Sequence, residues 1–146
     1  MRVDFYQLAG DGAEGVVPLL ARNTLRAGAR MVVVSGDSDQ LARIGDALWR
    51  KLPDTFLGHG HAGEAHASRQ PVLLSATVTE PENGARFVAI TDGRWRDTDA
   101  AFARTFFLFD DATLQEARAC WRELGKREGL ERHFWKQQGG RWTEAG

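Results

Sequence analysis

Basic and large aromatic side chains are interleaved near the end of this chain, a combination that can hold a ligand both anionic and apolar. Between Ala117 and Trp142 lie Arg118, Arg122, Lys126, Arg127, Arg132, Lys136 and Arg141. Glu123, Glu128 and Glu131 oppose them, so the segment carries +4 in a chain whose formal net charge is −1. Trp121, Phe134, Trp135 and Trp142 sit among these charges. Guanidinium and ammonium groups beside apolar rings suit nucleic acid or an acidic peptide tail. A solvated helix whose aromatics simply belong to the core would have the same composition. Arg118 and Arg122 stand at i and i+4, so on a helix both project from one side.

Other groups invite different chemistry. Gly10-Asp11-Gly12-Ala13-Glu14-Gly15 is a literal G-x-G-x-x-G, and Asp37 follows where a ribose-binding acid would stand in a dinucleotide site. That mechanism needs backbone N–H groups and a helix N-terminus facing pyrophosphate. Asp11 and Glu14 put negative charge there, so a structural turn whose acids complement the helix dipole is the stronger reading. His59, His61, Glu64 and His66 crowd one stretch, but a closed zinc site needs four well-placed ligands and no cysteine is near. Cys120 has no histidine close in sequence and reads as a buried, inert thiol. No Walker loop, G-x-S-x-G or CxxC occurs, so nothing specific to an enzyme is present, and no cofactor or metal is expected.

The elements that must carry these groups follow from periodicity. Val3–Leu8 reads as a strand. Val16, Leu19, Leu20, Asn23 and Leu25 keep helical spacing up to Gly28. Met31–Val34 is a continuous apolar run, typical of a strand covered on both faces. Leu41, Ile44, Leu48 and Leu52 form the stripe of an amphipathic helix that ends before Pro53. Trp49 lies about 100° off that stripe. With Phe56 beyond Pro53, it either marks a contact surface or packs under the following loop. The stretch from Gly58 to Gln70 reads as a long loop. Val72–Val78, Arg86–Ile90 and Thr105–Phe109 are further strands. A helix opens at Asp110 or Asp111 with Leu114, Ala117, Trp121 and Leu124 on one face, and Glu131–Thr143 suggests a short strand or hairpin around Gly139-Gly140. Strands alternating with helices predict an α/β fold: one domain over 1–146, with a central, mainly parallel sheet of about five strands and helices on both faces.

The bulk properties fit that picture. At 146 residues, with 42% hydrophobic and 27% charged residues, the chain has the make-up of one soluble globular domain. Near-neutral charge argues against a general nucleic-acid coat protein, so anion binding must be local. A single cysteine, no secretory signal and no apolar run of membrane-spanning length predict a cytoplasmic protein.

Nearly end to end, the chain resembles the chi subunit of bacterial DNA polymerase III. The resemblance rests on the opening VDFYQL, the helix DSDQLARIGDALWRKLPDTFLGHG followed by AGE, the PVLL strand, and ARACWREL with its FW…GRW tail. It implies a Rossmann-like three-layer fold that is not an enzyme and binds no dinucleotide. It also implies a clamp-loader accessory subunit that binds the acidic, Phe-terminated C-terminal tail of single-stranded DNA-binding protein. The pocket for that tail maps onto Arg118, Trp121 and Arg122, with Trp135 and Lys136 beside them. Trp49 and Phe56 map onto a second surface, for the psi subunit or an iron–sulfur helicase. DNA is then reached indirectly, through the replisome. The chain departs from the family pattern between Lys126 and Trp142, which is longer and differently spaced. The residue chemistry agrees with the implied ligand: terminal acids and a Phe carboxylate call for a guanidinium fork and an apolar slot. The rival readings are a direct single-strand nucleic-acid binder with aromatics stacking on bases, and an enzyme using the Gly10, Gly12 and Gly15 turn.

Overall fold

A computed structural model of the chain describes residues 1–9, 12–50, 59–78, 81–98, 102–138 and 141–145. Each of the five apolar runs forms a strand: β1 (Arg2–Gln7), β2 (Met31–Val34), β4 (Val72–Ser75), β5 (Phe87–Ile90) and β6 (Arg104–Phe109). Three more strands join them: β3 (His59–His61), β7 (Glu131–Gln138) and β8 (Arg141–Glu144). Among the described residues the sheet therefore has eight strands, not about five, in the order β3-β4-β2-β5-β6-β1-β7-β8. Every neighbouring pair is parallel except β7–β8, which forms the hairpin expected near the C-terminus. The stretch expected to be a long loop holds β3 and a 3-10 turn at Ala67–Arg69. β3 escapes a periodicity reading because its three residues, His-Gly-His, carry no β-branched or large apolar side chain.

The helices are α1 (Ala13–Arg26), α2 (Ser38–Arg50) and α3 (Leu114–Leu124). In α2, Leu41, Ile44 and Leu48 turn inward as their spacing requires, and Asp37 Oδ1 accepts the backbone N–H groups of Asp39 and Gln40. Fully burying a side chain such as Ile44 or Leu48 stabilises the fold by roughly 1.5–3 kcal/mol. In front of α3, Asp110 and Thr113 form a reciprocal capping box.

Chain direction explains which face each helix covers. From β1 the chain crosses by α1 to β2, and α2 continues the same way toward β3. After β3 the direction reverses: β4, β5 and β6 run back across the sheet, and α3 carries the chain on in that direction, over β1 to β7. Parallel crossovers keep one hand, so the reversal sends α3 to the opposite face. The core is accordingly split. Val16, Val17, Leu20, Leu41, Ile44 and Leu48 pack with Met31, Val33, Leu74, Ala89 and Leu108. On the other face, Ala117 and Leu124 pack with Phe5, Val32, Val34, Phe107 and Phe109.

β1 binds the two halves together. Asp4, 0% exposed, receives Arg2 Nη2 at 3.0 Å, Arg104 Nε at 2.7 Å and Trp135 Nε1 at 3.0 Å. Burial pushes the Asp4 carboxyl up, but these donors more than offset it and hold the carboxyl below its ordinary range. Among the described residues no helix is long and apolar enough to cross a membrane.

Candidate functional site

β7 pairs with β1 in the sheet and α3 packs over one face of it, and a cavity of about 270 Å³ opens between α3 and β7. Its lining is Gln7, Arg118, Trp121, Arg122, Phe134, Lys136 and Ala145. The helix sets Arg118, Trp121 and Arg122. Ala117 and Leu124 are buried on the sheet, so Arg118 and Arg122, one position round from Ala117 and Trp121, emerge at the helix flank and are exposed. The strand sets the rest. Arg132, Phe134 and Lys136 fall on one face of β7 by its two-residue period, toward α3. Ala145 is held at the rim by its N–H, which donates to Phe134 O at 2.7 Å.

The apolar wall is built from ring contacts. Trp121 meets Phe5 and Phe134 edge-on, with ring centroids 5.2 and 5.6 Å apart. Arg132 lies over the indole, its Cζ 4.0 Å from the ring centroid, and donates from Nη1 to Trp121 O. Gly125 makes room for this arrangement: a Cβ there would come within 2.7 Å of Arg132 Cζ. Among the described residues no carboxylate lines the cavity, and Arg118, Arg122 and Lys136 form no ion pair. Three cations thus face one hollow walled by a Trp and a Phe, which suits an anion attached to an apolar group.

Four of the five residues expected at the basic site, Arg118, Trp121, Arg122 and Lys136, meet here. Trp135 does not. It follows Phe134 on a strand and so faces the other side, stacked 6.3 Å from Tyr6 and bonded to Asp4. Phe134 takes the position expected of Trp135, and Gln7 and Ala145 join the lining from distant parts of the chain. The alternation Arg132/Phe134/Lys136 against His133/Trp135/Gln137 was the available signal once 131–138 is read as a strand. Gln7 and Ala145 left no signal, because only sheet pairing brings them to α3.

The second expected surface is described in part. Trp49 projects from α2 with 55% of its surface exposed, its ring centroid 5.1 Å from that of His59. Phe56 lies outside the described residues, as do Gly10 and Asp11 of the glycine-rich turn.

What is described of that turn bears on nucleotide binding. A recess of about 380 Å³ lies at the C-terminal ends of β1, β5 and β6, bordered by Gly12, Glu14, Gln40, Thr91, Asp92 and Asp110. Glu14 folds back over Gly12, with Oε2 2.6 Å from where a Cβ would stand, and pairs with Arg43 Nε at 2.7 Å. Asp92 is clamped by Arg96 through two contacts of 2.8 Å and accepts the N–H of Gly36 at 2.9 Å. Burial raises the Asp92 carboxyl, and Arg96 with the backbone donors of Gly36 and Arg94 lowers it further than burial lifts it. The Asp92 carboxylate, held ionised there, disfavours a pyrophosphate. Elsewhere, burial pushes the Cys120 thiol up to about 12, far from a nucleophilic thiolate. No group of three His, Cys, Asp or Glu among the described residues is arranged to hold a metal ion.

Fold and cavity together describe an α/β protein whose basic, aromatic-walled pocket has no lining residue in common with the strand-end recess. The chain belongs to the DNA polymerase III chi subunit (HolC) family, whose model matches residues 1–133. Membership makes it an accessory subunit of that polymerase. No curated protein matches the chain. The matched region includes α3 with Arg118, Trp121 and Arg122, and stops before Phe134, Lys136 and Ala145.

Proposed function

We propose that the protein is a non-catalytic adaptor of the clamp-loader assembly. It bridges the cytoplasmic replisome to single-stranded DNA-binding protein by holding that protein's acidic, Phe-terminated C-terminal tail between α3 and β7. The observation that carries this reading is the convergence of Arg118, Arg122 and Lys136, without a carboxylate, on a hollow walled by Trp121 and Phe134. The guanidinium groups receive the tail's carboxylates and the aromatic wall receives its terminal ring. Direct binding of bare single strands is less well supported. Base stacking needs an open aromatic face, and Trp121 has Arg132 over its ring and Phe5 and Phe134 at its edges.

The test is a titration with the tail peptide and, separately, with an oligonucleotide of equal charge. Charge-assisted contacts carry roughly 1.5–3 kcal/mol, so Arg122→Glu should weaken the peptide at least about tenfold. A folded Arg122→Glu protein that binds the peptide normally, or a wild type that prefers the oligonucleotide, would refute the site. Trp49, with Phe56, serves a second partner: a psi-like subunit or an iron–sulfur helicase. Trp49→Ala should therefore weaken capture of that partner and leave peptide affinity unchanged. Loss of both in a protein of normal stability would merge the two surfaces.

A further inference from the structure

The N-terminal ends of β4, β2 and β5 lie side by side, because Met31 pairs with both Val72 and Phe87. An arginine stands at each: Arg69 on the 3-10 turn before β4, Arg30 directly before β2 and Arg86 directly before β5. All three are exposed, and none forms an ion pair among the described residues. Hydrogen bonds fix the backbone that carries them. Arg30 donates from Nη1 to Ser68 O at 3.0 Å and to Asn83 O at 3.1 Å, and its own carbonyl accepts the N–H of Phe87 at 3.3 Å. Buried Asn83 ties the same turns together: it donates to Met31 O and Gln70 O and accepts the N–H of Ala85. Glu82, the carboxylate next to Asn83, accepts the N–H of Gly63. Arg30 thus has a structural task, while Arg69 and Arg86 hold nothing among the described residues.

We propose that this edge of the sheet holds the phosphate backbone of double-stranded DNA. Three neighbouring strands span about 10 Å, the length of about three phosphates along one strand of a duplex. Guanidinium forks match phosphate oxygens, and Arg30 keeps Nε and Nη2 for an outside acceptor. The residues next to the arginines in sequence are Ala29, Met31, Ser68, Gln70, Ala85 and Phe87. The one ring among them, Phe87, packs toward Phe106 and the core, so no base can stack on it and no membrane can receive it. A duplex needs no stacking partner, because its phosphates stand at fixed spacing and are met without base contacts. A chain of net charge −1 confines such binding to a local row. The row lies at the opposite end of the strands from the basic cavity, which meets β1 at its last residue, Gln7. It does not depend on the reading of that cavity, and both ligands can be held at once. A subunit of a DNA polymerase would then touch the duplex itself.

The experiment titrates the full chain into a fluorescein-labelled DNA duplex of about 20 base pairs and, separately, into one of its strands, by fluorescence anisotropy. Three phosphate contacts predict that duplex affinity falls roughly fortyfold between about 50 and 200 mM salt. The Arg69→Ala, Arg86→Ala double variant keeps one contact, so its fall should be only about three- to fourfold. At the lower salt the Arg69→Glu, Arg86→Glu double variant should bind the duplex at least about tenfold more weakly, with tail-peptide affinity unchanged. Arg30 is left in place because it holds two turns, and thermal melts confirm that both variants fold. Wild type should prefer the duplex to its single strand, and saturating tail peptide should not displace the duplex. No duplex binding, full duplex binding by the folded glutamate variant, or tighter binding of the single strand overturns the inference. Displacement by the peptide, or loss of duplex binding in Arg122→Glu but not in the edge variants, would put the DNA in the basic cavity and overturn it as well.

Discussion

Two recesses lie on one sheet, one bordered by carboxylates and the other by cations. The one at the C-terminal ends of β1, β5 and β6 is where open α/β sheets usually bind ligands. Here it is bordered by Glu14, Asp92 and Asp110, with Glu14 and Asp92 already paired to Arg43 and Arg96. The other, between α3 and β7, is bordered by Arg118, Arg122 and Lys136, none of them in an ion pair among the described residues. Where the charges are paired off they serve the scaffold; where they are left open they can meet a partner. The contrast locates the site by chemistry and not by the position that the fold favours.

The strongest way to break that contrast is Asp92→Ala. It removes both contacts to Arg96 and the acceptor for Gly36. Losing such charge-assisted bonds from a half-buried site should cost about 2–3 kcal/mol in denaturant unfolding, with peptide affinity unchanged. Because the folded carboxyl is held below its ordinary value, its contribution is present at neutral pH. It is lost as pH falls through the folded value. The variant should therefore lose less stability than wild type on acidification below about pH 4. A collapse of peptide binding in Asp92→Ala, with the fold intact, would mean that the two recesses are not independent.

Gly125→Ala gives a smaller effect on the other side of the comparison. The added methyl displaces Arg132 from Trp121. A cation–π contact at a partly exposed position contributes roughly 0.5–1 kcal/mol, so peptide affinity should fall by a few-fold while stability changes little. Unchanged binding would show that the Arg132–Trp121 stack does not shape the wall.

The smallest effect concerns the hairpin that carries Ala145. His133 bonds through Nε2 to Glu131 and through Nδ1 to Glu144, linking β7 to the end of β8, and Arg2 lies close by. These carboxylates raise its pKa, led by Glu131 and then Glu144. A raised histidine stabilises below its unfolded value, near 6.5, and the contribution disappears as pH climbs through the folded value. Amide exchange at Trp142 and Thr143, corrected for its intrinsic pH dependence, should show more protection at pH 6 than at pH 8.5. His133→Gln should flatten that difference.

Much of this was legible in the sequence where a single element decides the outcome. Met31–Val34 is apolar at every position, and a strand covered on both faces needs no other signal. Arg118, Trp121 and Arg122 share a helix, so their spacing alone brings them together. Legibility failed where neighbours decide. Strand β7 is half-covered on both faces, so Glu-Arg-His-Phe-Trp-Lys shows no alternation of apolar and polar residues, and Trp135 could be assigned to the wrong side. Gln7 enters the cavity only because β1 pairs with β7, more than a hundred residues away in sequence.

Chemical-shift mapping of the nitrogen-labelled chain with the acidic, Phe-terminated tail peptide tests the central claim most directly. The account predicts saturable shifts at the Trp121 indole N–H and at the amides of Arg118, Arg122, Lys136 and Ala145, with Gly12, Thr91 and Asp92 unmoved. Shifts centred on Gly12, Thr91 and Asp92, or no shifts at Trp121 at saturating peptide, would contradict it.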